Sequence, residues 1–445
     1  MKRIYFTFIL MGFTVLIYSQ ISNPAAHYCK MLGYEYIIKK DSLGNEAGYC
    51  ILPDSSEVEE WAFYRGKVGQ SYSYCARKGY VLKIEKIQKG NFLFDCQVCE
   101  NDTEKILMED LMKRNKDQLF EVDITYDTSI INFSNPPQQK STKSLPTSFD
   151  WRDYGYINPI RNQGSCYSCY AFSAISAAEG VYNIATHRSL NDRVQFSESF
   201  IMWCLGGLSV YYNHFFGCSG ADYSYSELAA LKDYGVCYQN NFPYTATNPG
   251  ECTHWNDPHV HFQGWNRSQC NDIEGIKYAI LNYGPVDAAV FTTTGFTNYP
   301  DGYPDGIYYD ANTSCPSGYD TETDHAISLI GWGIQDGYSY WILRNSWGTG
   351  WGYNGYMKIS MTSARVACAV AYLYPYYTSE WKPIDCPTTV VNNQVITSNV
   401  TYTGCEIQVS NVTIQNNADV IFDHDFMTEI TGPFEVKSGS TLEIK

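Results

Sequence analysis

Basic residues are scarce in this chain. Lys and Arg number 31 against 47 Asp and Glu, a formal net charge of −16. That deficit argues against nucleic acid or an anionic membrane as partner, since both call for basic patches. Long apolar runs are scarce too. Ile4–Ile17 is almost wholly apolar but too short for a comfortable bilayer span, and no other segment is long enough. Lys2 and Arg3 precede the run and Ser19 and Gln20 follow it, so residues 1–20 read as a secretory signal, with an N-terminal anchor as the rival reading. No cysteine stands at its exit, so nothing suggests a lipoprotein. Metal-ligand spacing is missing as well. Cys166 and Cys169 form one Cys-x-x-Cys, but Cys204 and Cys218 are too far apart to supply a second close pair for zinc. His254, His259 and His261 are irregularly spaced on a Pro- and Asp-rich loop and read as surface histidines. Neither a metal nor a cofactor is expected. A βαβ setting for a dithiol redox motif is also absent.

What is present points elsewhere. Sixteen cysteines indicate an oxidising compartment, and 445 residues are enough for two or three domains with a sizeable core. The segment Asn162-Gln163-Gly164-Ser165-Cys166-Tyr167-Ser168-Cys169 ends a polar loop and opens a helix of small residues, Ala171, Ala174, Ala177 and Ala178. Cys169 therefore stands at or beside a helix N-terminus, where unpaired amides favour the thiolate, the nucleophilic form. Asp324-His325-Ala326-Ile327 brings a histidine just before an apolar strand. Arg344-Asn345-Ser346-Trp347-Gly348 brings an amide beside a large aromatic.

With these three segments in order, residues from about 145 to 376 resemble the papain-like cysteine proteases. The start Leu145-Pro146-Thr147-Ser148-Phe149-Asp150-Trp151-Arg152 and the run Trp347-Gly348-Thr349-Gly350-Trp351-Gly352 fit as well. The resemblance implies an α+β, two-lobed fold: a helical lobe carrying Cys169 and a β-barrel-like lobe carrying His325 and Asn345, with the cleft between. It implies Cys169 as nucleophile, His325 as its base, Asn345 orienting the imidazole under the shield of Trp347, and Gln163 as oxyanion donor. Glu179 is assigned to structure. The resemblance implies the disulfides Cys166–Cys218, Cys204–Cys252 and Cys315–Cys368; Cys237 and Cys270 are left over as an extra pair. The nine cysteines of this segment are an odd number, which agrees with leaving Cys169 out of the pairing. Tyr170 and Tyr167 depart from the usual tryptophan and glycine, and Ala221 puts a Cβ where the family typically has a glycine.

The flanks divide into further units. Residues 21–67 form a small cysteine-containing module, similar to an uncharacterised module of bacterial secreted proteins, with Cys29–Cys50 as its bridge. Residues 68–144 hold Cys75, Cys96 and Cys99, a helix-prone stretch from Thr103 to Phe120 and a polar, cleavable linker (135–144), and read as a propeptide-like or accessory region. The long interleaved helical motif of many propeptides in the family is not found there. The catalytic domain is placed at 145–378. Residues 386–445 alternate apolar and polar and read as short strands separated by turns, like the last coils of a β-solenoid, stapled by Cys386 and Cys405. That module reads as a folded appendage without activity of its own, with a surface or self-association role as the rival reading.

The expected function is a secreted cysteine-type endopeptidase acting on proteins or peptides and made as a zymogen. The rivals are an exopeptidase whose cleft is partly blocked by the N-terminal region, a non-catalytic binding protein on the same fold, and a dithiol redox protein.

Overall fold

The computed structural model describes residues 21–117, 145–375 and 388–444, without 90–91, 209, 212–213, 222–224, 258, 302, 304–305, 312–314, 316–322 and 431. The leader, the linker and the Cys386–Cys405 staple lie outside the described residues.

Two lobes make up the central domain. The first is built on the helix Cys169–Ala185, with Ser226–Tyr234 and a buried cluster that includes Phe196, Phe200, Leu228 and Leu231. The second is a sheet with strand order Gly264–Arg267, Val370–Tyr374, Val286–Val290, His325–Gln335, Tyr338–Arg344, Tyr356–Ser360 and Ile307–Tyr308. Every neighbouring pair along it is antiparallel except the last. His325–Gln335 is buried over its first nine residues, so it reads as a continuous apolar run rather than an alternation. The helix lies on this strand because its small side chains permit close approach. Ser173 on the helix donates to Ile327 O at 2.5 Å and to the Asp287 carboxylate. Gly331 allows Phe149–Asp150 to pair alongside, since a Cβ there would sit 2.2 Å from Phe149 O.

Glu179 closes a buried charge cluster in the helical lobe. Arg161 contacts both Glu179 (3.1 Å) and Glu198, and Phe196 N donates to Glu179 at 2.9 Å. Its structural assignment thus has a concrete partner set. Cys166–Cys218, Cys204–Cys252 and Cys315–Cys368 form as the resemblance implied. The Cys237–Cys270 expectation is corrected. Cys237 is buried in the helical-lobe core, whereas Asn271 N bonds Ala367 O and brings Cys270 against Cys315 and Cys368. Cys270 thus lies beside the Cys315–Cys368 bridge.

Ahead of this domain stand two small modules of the same design. The first runs helix Pro24–Met31, strands Glu35–Lys40, Glu46–Ile51 and Glu57–Glu59, helix Glu60–Tyr64. The second runs helix Tyr74–Arg77, strands Val81–Lys89, Phe92–Glu100 and Lys105–Leu107, helix Met108–Arg114. Both sheets are antiparallel in sequential order, and their cross-strand ladders correspond: Tyr36, Cys50 and Val58 in one, Leu82, Cys99 and Ile106 in the other. Each is closed by the equivalent disulfide, Cys29–Cys50 and Cys75–Cys99. Gly33 and Gly79, four residues past the first cysteine of each, share φ near +80° (76° and 83°). The modules pack on each other, with Tyr74 N donating to the Tyr28 hydroxyl at 2.8 Å and Gln97 to Tyr64 O.

The C-terminal strands pair in parallel: Thr388 opposite Glu406, Val400 opposite Val420, Asp419 opposite Thr441. The chain therefore returns beside itself about every twenty residues, as a β-solenoid does. Val391, Ile407, Val409, Val412, Val420 and Phe422 fill its own apolar core. At one corner Asn393 and Asn411 both adopt left-handed φ (50° and 51°) and bond side chain to side chain at 2.7 Å.

Candidate active site

Cys169 is the first residue of its helix, and its Sγ accepts from Ala326 N at 3.4 Å. That bond sets the thiol beside the strand residue that follows His325. Cys169 is outside the disulfides. His325 begins its strand and faces Asn345, which directly follows the neighbouring strand, with Nε2 and Oδ1 2.7 Å apart. Ser346 N also donates to Asn345 Oδ1 at 2.8 Å, which fixes that oxygen as the acceptor and places the imidazole proton on Nε2. Nδ1 has no hydrogen-bond partner among the described residues. The Trp347 ring stacks on His325 with centroids 4.5 Å apart and covers the Asn345 contact. Gln163 is held from both ends: its N bonds Ser346 O at 2.9 Å and its Oε1 accepts from Ser346 Oγ at 2.7 Å. Its Nε2 is thereby free to point at Cys166 O (2.9 Å) and Ile21 O (3.3 Å).

All four residues singled out from sequence are thus gathered at the interface of the two lobes. Ser346 and Asp324 were missed. Both were visible only as neighbours inside quoted motifs, and nothing in a single sequence marks their contacts. Asp324 takes Thr292 N at 2.7 Å and Thr292 Oγ1 at 3.1 Å on its carboxyl, while burial pushes that carboxyl up to about 7.

The electrostatics differ from the helix-terminus expectation. Burial pushes the Cys169 thiol up to about 12, against the lowering effect of the Ala326 and Tyr170 amides. Burial also drives His325 down to about 4, against the Asn345 bond. Desolvation thus disfavours both charged forms, thiolate and imidazolium, in the covered site.

The first small module covers this site. Ile21 N donates to Asp324 O at 2.8 Å, and Asn23 N to Gly164 O at 3.1 Å. Trp61 stacks on the outer face of Trp347 at 5.8 Å and donates Nε1 to Trp347 O at 3.0 Å. The three histidines of the Pro- and Asp-rich loop do not converge: His254 Nδ1 meets the Asp257 carboxylate at 2.8 Å, and His259 meets the Asp257 carbonyl. Among the described residues, the cluster with metal-ligand proximity is Cys270, Cys315 and Cys368, of which Cys315 and Cys368 form the bridge described above.

A cysteine–histidine–asparagine arrangement shared between a helix start and two strands, on a two-lobed α+β domain, defines the class of cysteine-type peptidases. Residues 145–378, just over half of the chain, match the model of the papain family cysteine proteases, and the chain belongs to that family. A second match, to a domain of unknown function (DUF333), covers residues 20–67. A cysteine protease of Blomia tropicalis is 36% identical over 48% of this chain and 60% of its own length. Fruit bromelain of Ananas comosus is 34% identical over 52% of this chain and 61% of its own length. A solved digestive procathepsin L 3 of Tenebrio molitor is 27% identical, covering 54% of this chain and 73% of that one, with a TM-score of 0.46. The chain spans about half to three fifths of the first curated relatives it matches. The disulfides fit an extracellular protein, and among the described residues no helix is long and apolar enough to cross a membrane.

Proposed function

We propose that the chain is a secreted cysteine endopeptidase that hydrolyses peptide bonds of proteins through a thioester acyl-enzyme and is made as a zymogen. The observation that carries the reading is His325 held by Asn345 at 2.7 Å under Trp347, beside a cysteine at a helix start. Cys169 gives its proton to His325 Nδ1 and attacks the substrate carbonyl. Gln163 Nε2 and the Cys169 N–H stabilise the oxyanion. The imidazolium protonates the leaving amine, and the thioester is then hydrolysed by water activated on the same imidazole. Export through the leader 1–20, an activating cut near Lys143–Leu145 and a surface-associated role for the C-terminal solenoid belong to the same proposal.

Cys169→Ala tests the mechanism on the processed product. Loss of all hydrolysis is expected, and retained hydrolysis would sink it. The module against Trp347 favours one alternative, an exopeptidase in which residues 21–67 stay docked after the cut. Cleavage of internal bonds in a peptide blocked at both ends decides between them.

A further inference from the structure

The covering module meets the cleft in two distinct ways. Its leading backbone lies between the site residues: Ile21 N on Asp324 O, Ile21 O under Gln163 Nε2, Asn23 N on Gly164 O. A substrate strand entering this groove would need the same carbonyl and the same amide. Behind that backbone is an anchoring face. Asn23 Nδ2 donates to Glu60 Oε1 (3.0 Å), Asn162 Oδ1 (3.1 Å) and Trp347 O (3.4 Å), and Asn162 Nδ2 donates to Glu60 Oε1 (2.7 Å). Arg65 reaches Gly350 O and Tyr299 O at 3.3 and 3.2 Å. The Trp-Gly-Thr-Gly loop has no room for larger residues beneath this face, since a Cβ on Gly350 would lie 2.0 Å from Glu59 Oε1.

The second module supplies an internal comparison. It has the same fold, but Gly69 stands where the first has Asn23, Met108 where it has Glu60, and Glu109 where it has Trp61. It packs on the first module through Tyr28 and Tyr64. Cleft-facing polar residues thus mark one copy of a duplicated scaffold. A merely structural repeat would not place a buried Asn–Glu pair against the residue next to Gln163.

Resting on the peptidase reading above, we infer that residues 21–67 are a cleft inhibitor acting within the chain, in which Ile21–Asn23 fill the groove between Asp324 and Gln163 while Asn23, Glu60, Trp61 and Arg65 clamp Asn162 and the Trp347 loop. The second module supports the first. Both modules are closed by their own disulfides, so a cut in the linker leaves the inhibitor held by non-covalent contacts alone.

The test uses the uncut full-length chain and two readouts: alkylation of Cys169 by iodoacetamide, followed by mass spectrometry, and hydrolysis of a blocked peptide. Asn23→Ala and Arg65→Ala are expected to alkylate at least tenfold faster than wild type, with Glu109→Ala on the second module unchanged. Arg65→Ala removes side-chain contacts to the catalytic domain and keeps the backbone N–H that caps the helix Glu60–Tyr64, so it answers the question even where Asn23→Ala misfolds. Equal alkylation rates in wild type and Arg65→Ala overturn the inference, whether or not peptide is cleaved. Faster alkylation with no hydrolysis by any form, cut or uncut, leaves the inhibitor standing and overturns the peptidase reading. Hydrolysis without faster alkylation does the reverse.

Discussion

At the scale of single residues, burial favours the uncharged forms of both Cys169 and His325. The thiolate is the form that alkylates, so alkylation of the uncut chain should be slow and should climb about tenfold per pH unit between pH 5 and 8, as for any thiol far below its pKa. A rate that is flat across that range, measured by iodoacetamide kinetics, would mean that the thiolate is already formed at pH 5. Ser346 is the residue that fixes Gln163, accepting at its carbonyl and donating from its hydroxyl. Gln163→Ala should cost about 10²–10³ in kcat, the usual cost of one oxyanion donor. Ser346→Ala should cost roughly a tenth of that loss, with KM little changed, since it frees the amide without removing it. A larger effect on KM than on kcat would assign Ser346 to substrate binding instead. The candidate site residues were legible in the sequence because each sits in a short contiguous motif. Their protonation was not legible, because desolvation is contributed by segments hundreds of residues away.

Among the elements, the first module turns on Glu60. Its carboxyl is fully buried, and burial pushes it up to about 8, with the Glu59 charge adding to the rise and Asn162 and Asn23 opposing it. Tyr36 and Glu59 face the same carboxyl. The sign follows from linkage. The docked state binds the Glu60 proton more tightly than the released state, so its contribution is complete below the ordinary carboxylate range and is lost as pH rises toward 8. Docking should weaken over that interval by at most about tenfold per pH unit. In Glu60→Gln the weakening should be much smaller, so the alkylation rates of the two proteins should diverge as pH rises. Identical pH profiles would remove Glu60 from the docking energetics. His325 works in the opposite sense, since its lowered pKa disfavours the buried state as pH falls below its ordinary value, and the comparison with Glu60→Gln separates the two. The duplication itself left a trace in the sequence. Tyr28-Cys29 and Tyr74-Cys75 are each followed by Gly-Tyr at the same distance, at 33–34 and 79–80. The copies nonetheless read as different units, because the second hairpin is longer and its closing helix exchanges Glu60-Trp61 for Met108-Glu109.

Over the whole molecule, the apolar cores show which parts depend on one another. Trp61 and Phe63 of the first module, Met108 and Leu111 of the second, and Trp332, Trp347 and Trp351 of the sheet lobe belong to one buried cluster. The solenoid has a separate core around Val409 and Phe422. Apolar burial is the dominant stabilising contribution, so units that share a core should unfold together and units that do not should unfold independently. The helical-lobe cluster around Phe196 and Leu228 takes in Ala371 and Leu373 of the sheet, which ties the two lobes into one unit. Scanning calorimetry of the full chain should therefore resolve two transitions, and truncation after residue 378 should remove one while leaving kcat/KM of the processed enzyme unchanged within about twofold. Trp61→Ala should lower the other transition alone, with a stability loss of about 3–5 kcal/mol as expected for a fully buried tryptophan. A single cooperative transition, or a solenoid transition that moves with Trp61→Ala, would mean that the C-terminal coils pack on the catalytic domain. The solenoid would then share in its stability rather than stand apart as an appended unit.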